Sequence, residues 1–256
     1  MHSEAGILVD HVSRTFSARG AEVRALDDVS LDCPPGSFTA LIGPSGCGKS
    51  TMLRLALGLD SPNDGRIFVD GVAPFDAAKG GATGVAFQDA ALMPWRNVED
   101  NIMLPLDVLG RKRANYREKV AELIALVGLA GFEKALPGEL SGGMRQRCAI
   151  ARALVTTPRV LFLDEPFGAL DQILRRQMNT ELQRIWMESG ATTLLVTHGI
   201  DEAIFLADRV VVMQSRPGRI GRIVDIPFAR PRKPELFADP AFHRLESEIA
   251  EALDGH

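Results

Sequence analysis

The sequence predicts an α/β protein with a largely parallel, buried sheet. Short and wholly apolar runs, such as residues 160–163, have the length and composition of strands that are covered on both faces. Between such runs, the apolar residues within 120–127 recur at the three- and four-residue intervals of one helix face. Strands that alternate with helices favour parallel pairing, because each helix carries the chain back across the sheet.

The first third of the chain reads as strands followed by a glycine-rich turn and a helix. Val29, Leu31 and Cys33 alternate with polar residues, as expected of a half-buried strand. In this part we predict short strands within 7–33, a buried strand at 37–42, a helix at 49–59, and further strands at 66–70 and 83–88.

The remainder of the chain continues the alternation until a change in composition after Ser215. We predict helices at 142–157, 174–186 and 200–207, and strands at 160–163, 192–197 and 209–214. Beyond Ser215 five prolines interrupt regular structure, so we predict a tail over 216–256 that ends in a short helix near 242–253.

Composition and charge exclude several classes of protein. Hydrophobic residues make up 46% of the 256 residues, which excludes a disordered or collagen-like chain, and the length suits one large domain. Lysine and arginine number 29 against 33 acidic residues, and the net charge of -4 disfavours a nucleic-acid-binding surface. Cys33, Cys47 and Cys148 are too widely spaced for a metal site, which favours a reducing, cytosolic setting. With neither a signal peptide at residues 1–4 nor an apolar run of about 18 residues, we expect any membrane association to come through a partner.

A phosphate-binding loop is predicted at residues 43–50, which match the pattern G-x-x-x-x-G-K-[ST]. The glycines allow backbone N–H groups to converge on phosphate oxygens, Lys49 can reach the β- and γ-phosphates, and the Ser50 hydroxyl can coordinate Mg²⁺. A strand–helix turn without a ligand is the alternative, but the expected flanking strand and helix favour phosphate. The predicted nucleotide-binding residues are Gly43, Pro44, Ser45, Gly46, Cys47, Gly48, Lys49, Ser50 and Thr51.

A pair of carboxylates, Asp164 and Glu165, follows the apolar residues 160–163. Ligands of open α/β sheets bind at the carboxyl ends of the strands. We therefore expect Asp164 to hold Mg²⁺ and Glu165 to polarise a water molecule against the γ-phosphate. A strand that leaves the core often meets acidic residues, so the pair is informative only together with the phosphate loop.

A third motif, Leu140-Ser141-Gly142-Gly143-Met144-Arg145-Gln146-Arg147, resembles the LSGGQ-type signature of ATP-binding-cassette (ABC) ATPases. Serine and two glycines at a helix N-terminus form a second anion-binding surface. The resemblance implies that two subunits pair head to tail, with Ser141, Gly142, Gly143 and Gln146 acting in trans on the partner's ATP.

Further landmarks of that family occur in the expected order. Gln88 resembles the glutamine that senses Mg²⁺ or the attacking water, and Ala169-Leu170-Asp171 resembles the loop that links the two sites of the dimer. His198 resembles the histidine that contacts the γ-phosphate, although a lone histidine is more often structural. Phe16 resembles the aromatic residue that stacks on adenine, the alternative being a core phenylalanine at a strand end.

The resemblance covers about residues 7–230 and implies a fold with three parts. These are a RecA-like P-loop NTPase core over 7–88 and 155–215, an N-terminal antiparallel β subdomain, and an inserted helical subdomain over 89–154. It also implies Mg²⁺ ligands at Ser50, Gln88 and Asp164.

An importer branch of the family shares further residues with this chain. Residues 92–98, 164–171 and 216–220 resemble those of ATPases that import nitrate, sulfonates, taurine and related solutes. The resemblance implies a homodimer that binds and hydrolyses ATP, two transmembrane permease subunits, a solute-binding protein, and a peripheral position on the cytoplasmic face of the inner or plasma membrane. The chain departs from the family at Gly199, where relatives carry an acidic residue, and at Glu139, where glutamine is more usual.

Two other kinds of protein are alternatives. A DNA-repair ABC ATPase needs long coiled-coil insertions, for which the separation of 115 positions from Lys49 to Asp164 leaves no room, and a cluster-assembly subunit would depend on suitably placed cysteines. A non-catalytic cassette should lack Lys49, Glu165 or His198, and all three are present.

Two segments allow more than one interpretation. The apolar residues 92–95 either pack inside the helical subdomain or line a groove for a short helix of the membrane subunit. The basic residues 216–233 form either a solvated face or a contact with a partner.

Overall fold

The computed structural model describes residues 6–18, 21–168, 170–215 and 217–254. The leader prediction at residues 1–4 and the predicted roles of Ala169 and Arg216 fall outside these ranges. Within them, the strands are β1 (Ile7–Ala18), β2 (Ala21–Cys33), β3 (Phe38–Ile42), β4 (Asp64–Val69), β5 (Thr83–Ala86), β6 (Val160–Asp164), β7 (Thr192–Val196), β8 (Arg209–Gln214) and β9 (Arg219–Asp225). The α-helices are α1 (Lys49–Ala56), α2 (Pro74–Lys79), α3 (Val98–Val108), α4 (Arg117–Leu126), α5 (Gly142–Leu154), α6 (Gln172–Ser189), α7 (Ile200–Leu206) and α8 (Pro240–Asp254).

The larger sheet has the strand order β5-β6-β7-β3-β8-β9. Its first five strands are parallel, as predicted, and β9 pairs antiparallel with β8 at the edge. All residues of β3 and β7 are buried, which is why these strands read as continuous apolar or threonine-containing runs rather than as alternating patterns. This order places the carboxyl ends of β5, β6, β7 and β3 side by side.

The smaller sheet is antiparallel, in the order β2-β1-β4. Residues 7–33 form two long strands of 12 and 13 residues instead of the several short strands that the pattern predicted. The difference has a local cause: His11 and Asp28 adopt positive φ angles of 50° and 52°, and the β1–β2 register shifts between Val9 and Val12. Such bulges bend the strands and interrupt the alternation of inward and outward residues.

A helical lobe containing α3, α4 and α5 occupies the chain between β5 and β6. The sequence predicted α4 and α5, whereas α3 received no separate prediction. Asn97 caps α3 by accepting a hydrogen bond from the backbone N–H of Asp100 at 2.8 Å. Buried residues of all three helices, including Ile102, Leu123 and Ile150, pack in the same core cluster as the parallel sheet. The lobe is therefore joined to the sheet by continuous apolar packing.

The residues after Ser215 are part of the folded core, which corrects the prediction of a tail broken by prolines. Strand β9 extends the larger sheet, with Val210 opposite Val224, and α8 buries Phe242 and Ile249 in the main core. Prolines exclude ladder hydrogen bonds only at their own positions, and none lies inside β9.

Among the described residues, no helix is both long enough and apolar enough to cross a membrane.

Candidate functional site

The carboxyl ends of four adjacent strands carry the predicted site residues. Gln88 follows β5, Asp164 and Glu165 stand at the end of β6, His198 follows β7, and the loop 43–48 follows β3. The sheet thus brings together residues that are up to 155 positions apart, in the crevice where ligands of such sheets bind.

The loop between β3 and α1 has the backbone that a phosphate cradle needs. Gly46 and Gly48 adopt φ angles of 81° and 95°, a region that side chains disfavour. A Cβ atom on Gly48 would lie 2.6 Å from the Leu26 side chain and 2.8 Å from the Ala25 carbonyl, so β2 packs directly against the loop. No atom lies within 4 Å of a Cβ built on Gly46, which leaves space above the loop for a bulky anion.

Lys49, the first residue of α1, points back into this loop. Its Nζ donates hydrogen bonds to the carbonyl oxygens of Gly43 at 2.7 Å and Pro44 at 3.0 Å. The residue is buried, whereas Ser45 and Ser50 are exposed and Thr51 is partly buried. The ammonium group is therefore held at the loop, on the side from which α1 presents the positive end of its dipole.

Glu165 contacts both other predicted catalytic residues through its carboxylate oxygens. The Gln88 amide Nε2 donates to Glu165 Oε2 at 3.0 Å, and His198 Nε2 lies 2.7 Å from Glu165 Oε1. The φ angle of Glu165 is +47°, a conformation that costs a non-glycine residue about 1 kcal/mol. Its backbone N–H donates to the Val196 carbonyl at 2.8 Å, which fixes the carboxylate relative to β7.

Asp164 lies beside Glu165 in a partly buried position. Burial and the neighbouring Glu165 charge raise the pKa of the Asp164 carboxyl, while the charges of Lys49 and His198 act in the opposite direction. A divalent cation would relieve this unfavourable concentration of negative charge. The Asp164 carboxylate, the Ser50 hydroxyl and the Gln88 amide oxygen are hard ligands of the kind that Mg²⁺ prefers, so the residues present fit this ion.

Phe16, on β1, is 37% exposed and is therefore not the core phenylalanine of the alternative interpretation. The Arg14 guanidinium lies 4.6 Å from the centre of its ring, and two hydrogen bonds hold Arg14 to Asp60, at 2.8 Å and 3.0 Å. The Phe16 ring is thus supported by a cation, an arrangement that the sequence did not indicate.

The signature residues stand at the N-terminus of α5. Ser141 is the exposed N-cap, and its Oγ accepts a hydrogen bond from the Met144 N–H at 3.2 Å. The Gln146 side chain is buried and donates to the Phe87 carbonyl at 2.9 Å. Within this chain, Gln146 therefore connects the signature helix to the residue before Gln88, and its action on a partner's ATP stays a prediction.

Asp171 caps α6, with its carboxylate accepting a hydrogen bond from the Leu174 N–H at 3.0 Å. Within the described residues, no hydrogen bond or ion pair joins Ser141 or Asp171 to the phosphate loop of the same chain. The structure of one chain therefore assembles the loop and the Glu165 cluster, and leaves the signature and Asp171 outside them.

Three residues near the site escaped the sequence analysis. Glu202, on α7, is fully buried next to the Thr197 hydroxyl, which donates to it. Arg152, on α5, donates to the carbonyls of Ala90 at 2.6 Å and Ala91 at 2.9 Å. Gly218 lies against the phosphate loop, with an added Cβ only 2.3 Å from the Cys47 carbonyl oxygen. Of these three residues, only Glu202 could have been found from the sequence, as a charged residue at the start of an apolar helix.

Comparison with known proteins places this site in a family. The family model described as ABC transporter matches residues 26–168. The taurine import ATP-binding protein TauB of Rhizobium johnstonii is 46% identical over 252 residues, which are 96% of this chain and 95% of that protein. The nitrate import ATP-binding protein NrtC of Synechococcus elongatus is 44% identical over 96% of this chain, which spans 38% of that protein. The aliphatic sulfonates import ATP-binding protein SsuB of Bacillus cereus is 42% identical over 91% of this chain and 92% of that protein.

Solved structures confirm the predicted fold. The ATP-binding cassette MJ0796, in a dimeric post-hydrolysis state bound to ADP and inorganic phosphate, superposes with a TM-score of 0.79. The two chains are 29% identical, and the match covers 87% of this chain and all of the other. The P-loop core with an antiparallel N-terminal sheet is therefore shared with known cassettes.

Proposed function

Because this chain belongs to the ABC transporter family and is an ABC ATPase, we propose that it is the ATP-hydrolysing subunit of an importer for a small solute such as taurine, nitrate or a sulfonate. The observation that carries the catalytic part of the proposal is the Glu165 carboxylate with Gln88 on one oxygen and His198 on the other. The names of the relatives support the importer part.

ATP binds on the loop 43–48 in this proposal. Backbone N–H groups of the loop and the N-terminus of α1 receive the phosphates, and Lys49 exchanges its hydrogen bonds to Gly43 and Pro44 for phosphate oxygens. Phe16 stacks on the adenine ring from its exposed position on β1. Ser50, Gln88 and Asp164 would hold Mg²⁺, which would neutralise phosphate charge during the reaction.

Glu165 activates the water molecule that attacks the γ-phosphate. A carboxylate oxygen accepts a proton from the water as the water oxygen bonds to the γ-phosphorus, which is general-base catalysis. The bond from the γ-phosphorus to the bridging oxygen breaks in the same displacement, and ADP leaves with that oxygen and its electron pair. Gln88 orients the carboxylate through its hydrogen bond, His198 lies 2.7 Å from the other carboxylate oxygen, and His198 then reaches the γ-phosphate. A group held in this way loses little entropy when the reaction begins.

A second subunit completes the site. Ser141, Gly142 and Gly143 at the start of α5 present an exposed helix N-terminus, which suits the γ-phosphate held by the loop of the partner. Asp171, exposed at the start of α6, lies at the contact between the two sites. The functional unit in this proposal is a head-to-tail homodimer with two ATP molecules.

A groove beside Gln88 fits the proposed permease contact. Its volume is about 380 Å³, and residues from both the sheet and the helical lobe line it, among them Val85, Phe87, Met93, Pro105 and Leu109. Trp95 follows in the chain and is 74% exposed. In the dimer, we place a short helix of one membrane subunit in the groove of each chain, so that two membrane subunits are bound. A solute-binding protein delivers the solute to those subunits, and this chain sits at the cytoplasmic face.

The Glu165→Gln variant tests the catalytic proposal. Glutamine keeps a hydrogen-bonding oxygen but cannot accept the proton, so we expect hydrolysis to fall by about 100-fold or more while ATP binding and ATP-dependent dimerisation persist. Glu188→Gln, the same change at an exposed site on α6, is the control and should hydrolyse ATP normally. Near-normal hydrolysis by Glu165→Gln would overturn the assignment of the base.

Uptake measurements test the importer proposal separately. Deletion of the gene should abolish uptake of labelled taurine, nitrate or an alkanesulfonate, and the wild-type gene, but not Glu165→Gln, should restore it. Undiminished uptake of all three classes in the deletion strain would exclude these solutes and leave the ATPase assignment intact.

A further inference from the structure

The C-terminal end of α7 is capped by two arginines from a distant part of the chain. A helix end leaves its last carbonyl groups without partners inside the helix. The Arg232 Nη1 donates to the carbonyls of Ile204 at 2.8 Å, Phe205 at 3.0 Å and Ala207 at 2.7 Å. Arg230 Nη2 donates to the carbonyl between them, that of Leu206. Four consecutive carbonyls therefore depend on these two side chains.

Arg232 is an unusual cap because it is buried, with 3% of its surface exposed. Burial lowers the pKa of its guanidinium to about 10, so the group is still charged at neutral pH. Its Nε donates to the Phe228 carbonyl at 3.1 Å, and the Gln183 side chain holds its backbone through two hydrogen bonds of 2.8 Å. The negative end of the α7 dipole and these carbonyls stabilise the cation.

The segment that carries the two arginines, residues 226–254, wraps around α7 and is called the C-terminal clamp below. Phe237 of the clamp stacks on Phe205 of α7, with ring centres 4.9 Å apart. Arg230 lies 4.2 Å above the Trp186 ring of α6 and donates to the Asp208 carboxylate. The clamp thus joins α7 to α6 and to the start of β8.

At its other end, α7 leads directly to the candidate catalytic histidine. Gly199 is the N-cap of α7 and the only residue between the helix and His198. The Thr197 hydroxyl donates to Glu202 in the first turn of the helix and accepts from the Gly199 N–H at 3.0 Å. A displacement of α7 is therefore passed to His198 through one residue and two hydrogen bonds.

We propose that Arg232, through the C-terminal clamp, is a positioning residue that fixes α7 and thereby sets the 2.7 Å contact between His198 Nε2 and Glu165 Oε1. The inference rests on the proposed catalytic role of His198. Apolar burial of α7 resists its separation from the core but is not directional, so it opposes sliding along the helix axis weakly. Hydrogen bonds to the carbonyls at the helix end are directional and oppose that sliding. The basic segment that the sequence left as either a solvated face or a partner contact thus has an internal role at Arg232.

The first test is the Arg232→Lys variant. Lysine keeps the charge but lacks the planar fork of donors that satisfies the carbonyls. We expect kcat for ATP hydrolysis to fall by about tenfold or more, with KM changed less than about twofold, because the phosphate loop is untouched. Arg222→Lys is the matched control: Arg222 lies on β9, is exposed and pairs with Glu248, so its kcat should be unchanged. A kcat equal to that of the wild type would overturn the proposal, and so would a rise in KM by the same factor as the fall in kcat.

A double-mutant cycle separates positioning from general loss of stability. If Arg232 acts through His198, Arg232→Lys should lower the rate constant of hydrolysis in the wild type but not in the His198→Ala background. Single-turnover experiments with excess enzyme measure this rate constant. Losses that multiply in the double variant would show that the arginine acts elsewhere and would overturn the proposal. Wild-type hydrolysis by His198→Ala alone would instead refute the proposed role of the histidine.

A spectroscopic readout is independent of activity. In ¹H–¹⁵N spectra of the five histidine side chains, the His198 signal is the one lost in His198→Ala. Arg232→Lys should shift this signal and leave that of His11 in place, whereas Arg222→Lys should shift neither. An unmoved His198 signal overturns the proposal. If Arg232→Lys does not fold, Phe237→Leu, which removes the stack on Phe205 and leaves the arginine, is measured in its place with a smaller shift expected.

Discussion

At the scale of single residues, two groups support the site from behind. They are the buried carboxyl of Glu202 and the small residue Gly218, which contact residues of the site and not the proposed nucleotide. Burial raises the pKa of the Glu202 carboxyl from its ordinary value of 4.5 to about 7, with Asp201 and Glu165 acting in the same direction. The Thr197 hydroxyl and Arg175 partly oppose that rise. Among the described residues, none makes a hydrogen bond with the Glu202 Oε1. Gly218 lies at the turn between β8 and β9, beside the phosphate loop. Its carbonyl accepts a hydrogen bond from the Asp27 N–H, and its own N–H donates to the Ala25 carbonyl.

Glu202→Gln should change how stability depends on pH. The folded state binds the Glu202 proton more tightly than the unfolded state, so this group's contribution is fully favourable below about 4.5 and is lost as the pH rises to about 7. Glutamine removes the loss, at most about 1.4 kcal/mol per pH unit. We expect urea unfolding to show a stability difference in favour of the variant that grows between pH 4.5 and about pH 7 and then levels off. Glu251→Gln, on an exposed position of α8, should give a constant difference; a constant difference for Glu202→Gln would contradict the prediction.

Gly218→Ala should impair the phosphate loop from the outside. An added Cβ lies 2.3 Å from the Cys47 carbonyl oxygen and 2.5 Å from that of Ala25, and both are backbone atoms that cannot rotate away. We expect the loop to shift and the affinity for MgATP to fall by about tenfold, equivalent to about 1.4 kcal/mol. Calorimetric titration measures the affinity. Gly138→Ala, where no atom lies within 4 Å of the new Cβ, is the control. Equal affinity in both variants would show that the contact is not transmitted.

At the scale of elements, the helical lobe and the segment after Gln88 form one unit. Gln146 and Arg152 of α5 hold the carbonyls of Phe87, Ala90 and Ala91. Leu92 packs against the main core, while Trp95 is exposed. Residues 92–95 were predicted either to pack inside the helical subdomain or to contact a membrane subunit. Leu92 packs internally, whereas the exposed Trp95 is available for a contact.

Trp95→Ala should leave folding and basal ATP hydrolysis unchanged and weaken assembly with the permease. An exposed aromatic side chain contributes little to the core but is a common interface hot spot, worth about 2 kcal/mol or more. Thermal unfolding, ATPase rate and solute uptake are measured on the same variant.

Trp186→Ala provides the contrast within the chain. Trp186 is buried, donates to the Ala191 carbonyl at 2.7 Å and packs edge-on against Phe38. Its truncation should cost about 3–5 kcal/mol of stability. A comparable loss of stability in Trp95→Ala would show that Trp95 packs inside the protein and would contradict the proposed contact surface.

At the scale of the whole molecule, one chain carries the two surfaces that the proposed function assigns to nucleotide, and they lie apart from each other. The phosphate loop and Glu165 lie at the carboxyl end of the larger sheet, and the signature lies at the start of α5. Ser45 and Ser141 are both exposed. The head-to-tail dimer of the proposed function brings the two surfaces together between chains.

Crosslinking tests this arrangement. The double variant Ser45→Cys/Ser141→Cys should form a disulfide between two chains when ATP is present, detected as a band of twice the 27.7 kDa chain on a non-reducing gel. The native Cys33, Cys47 and Cys148 are buried, so the wild type is a low-background control. Burial also raises the pKa of Cys33 to about 11 and that of Cys148 to about 12, which suppresses their thiolates. Crosslinks confined to one chain would contradict the head-to-tail dimer.

The local features of this protein follow from short stretches of its sequence. The glycine loop ahead of Lys49, the buried strands and the amphipathic helices are set by the residues within each segment, because dihedral preferences and side-chain periodicity act over a few positions. The fold class and the candidate roles of Lys49 and Glu165 followed from such patterns. They were readable because each motif lies at the junction of one strand with its following turn or helix.

Tertiary structure decided what depends on neighbours distant in the chain. The order β5-β6-β7 brings Gln88, Glu165 and His198 within hydrogen-bonding distance, and no local pattern encodes which strands are adjacent. The pairing of β9 with β8 and the burial of Arg232 overrode the proline-rich composition after Ser215. Sheet order and the capping of one helix by a remote arginine arise from long-range hydrogen bonds and packing, which form only when the whole chain is folded.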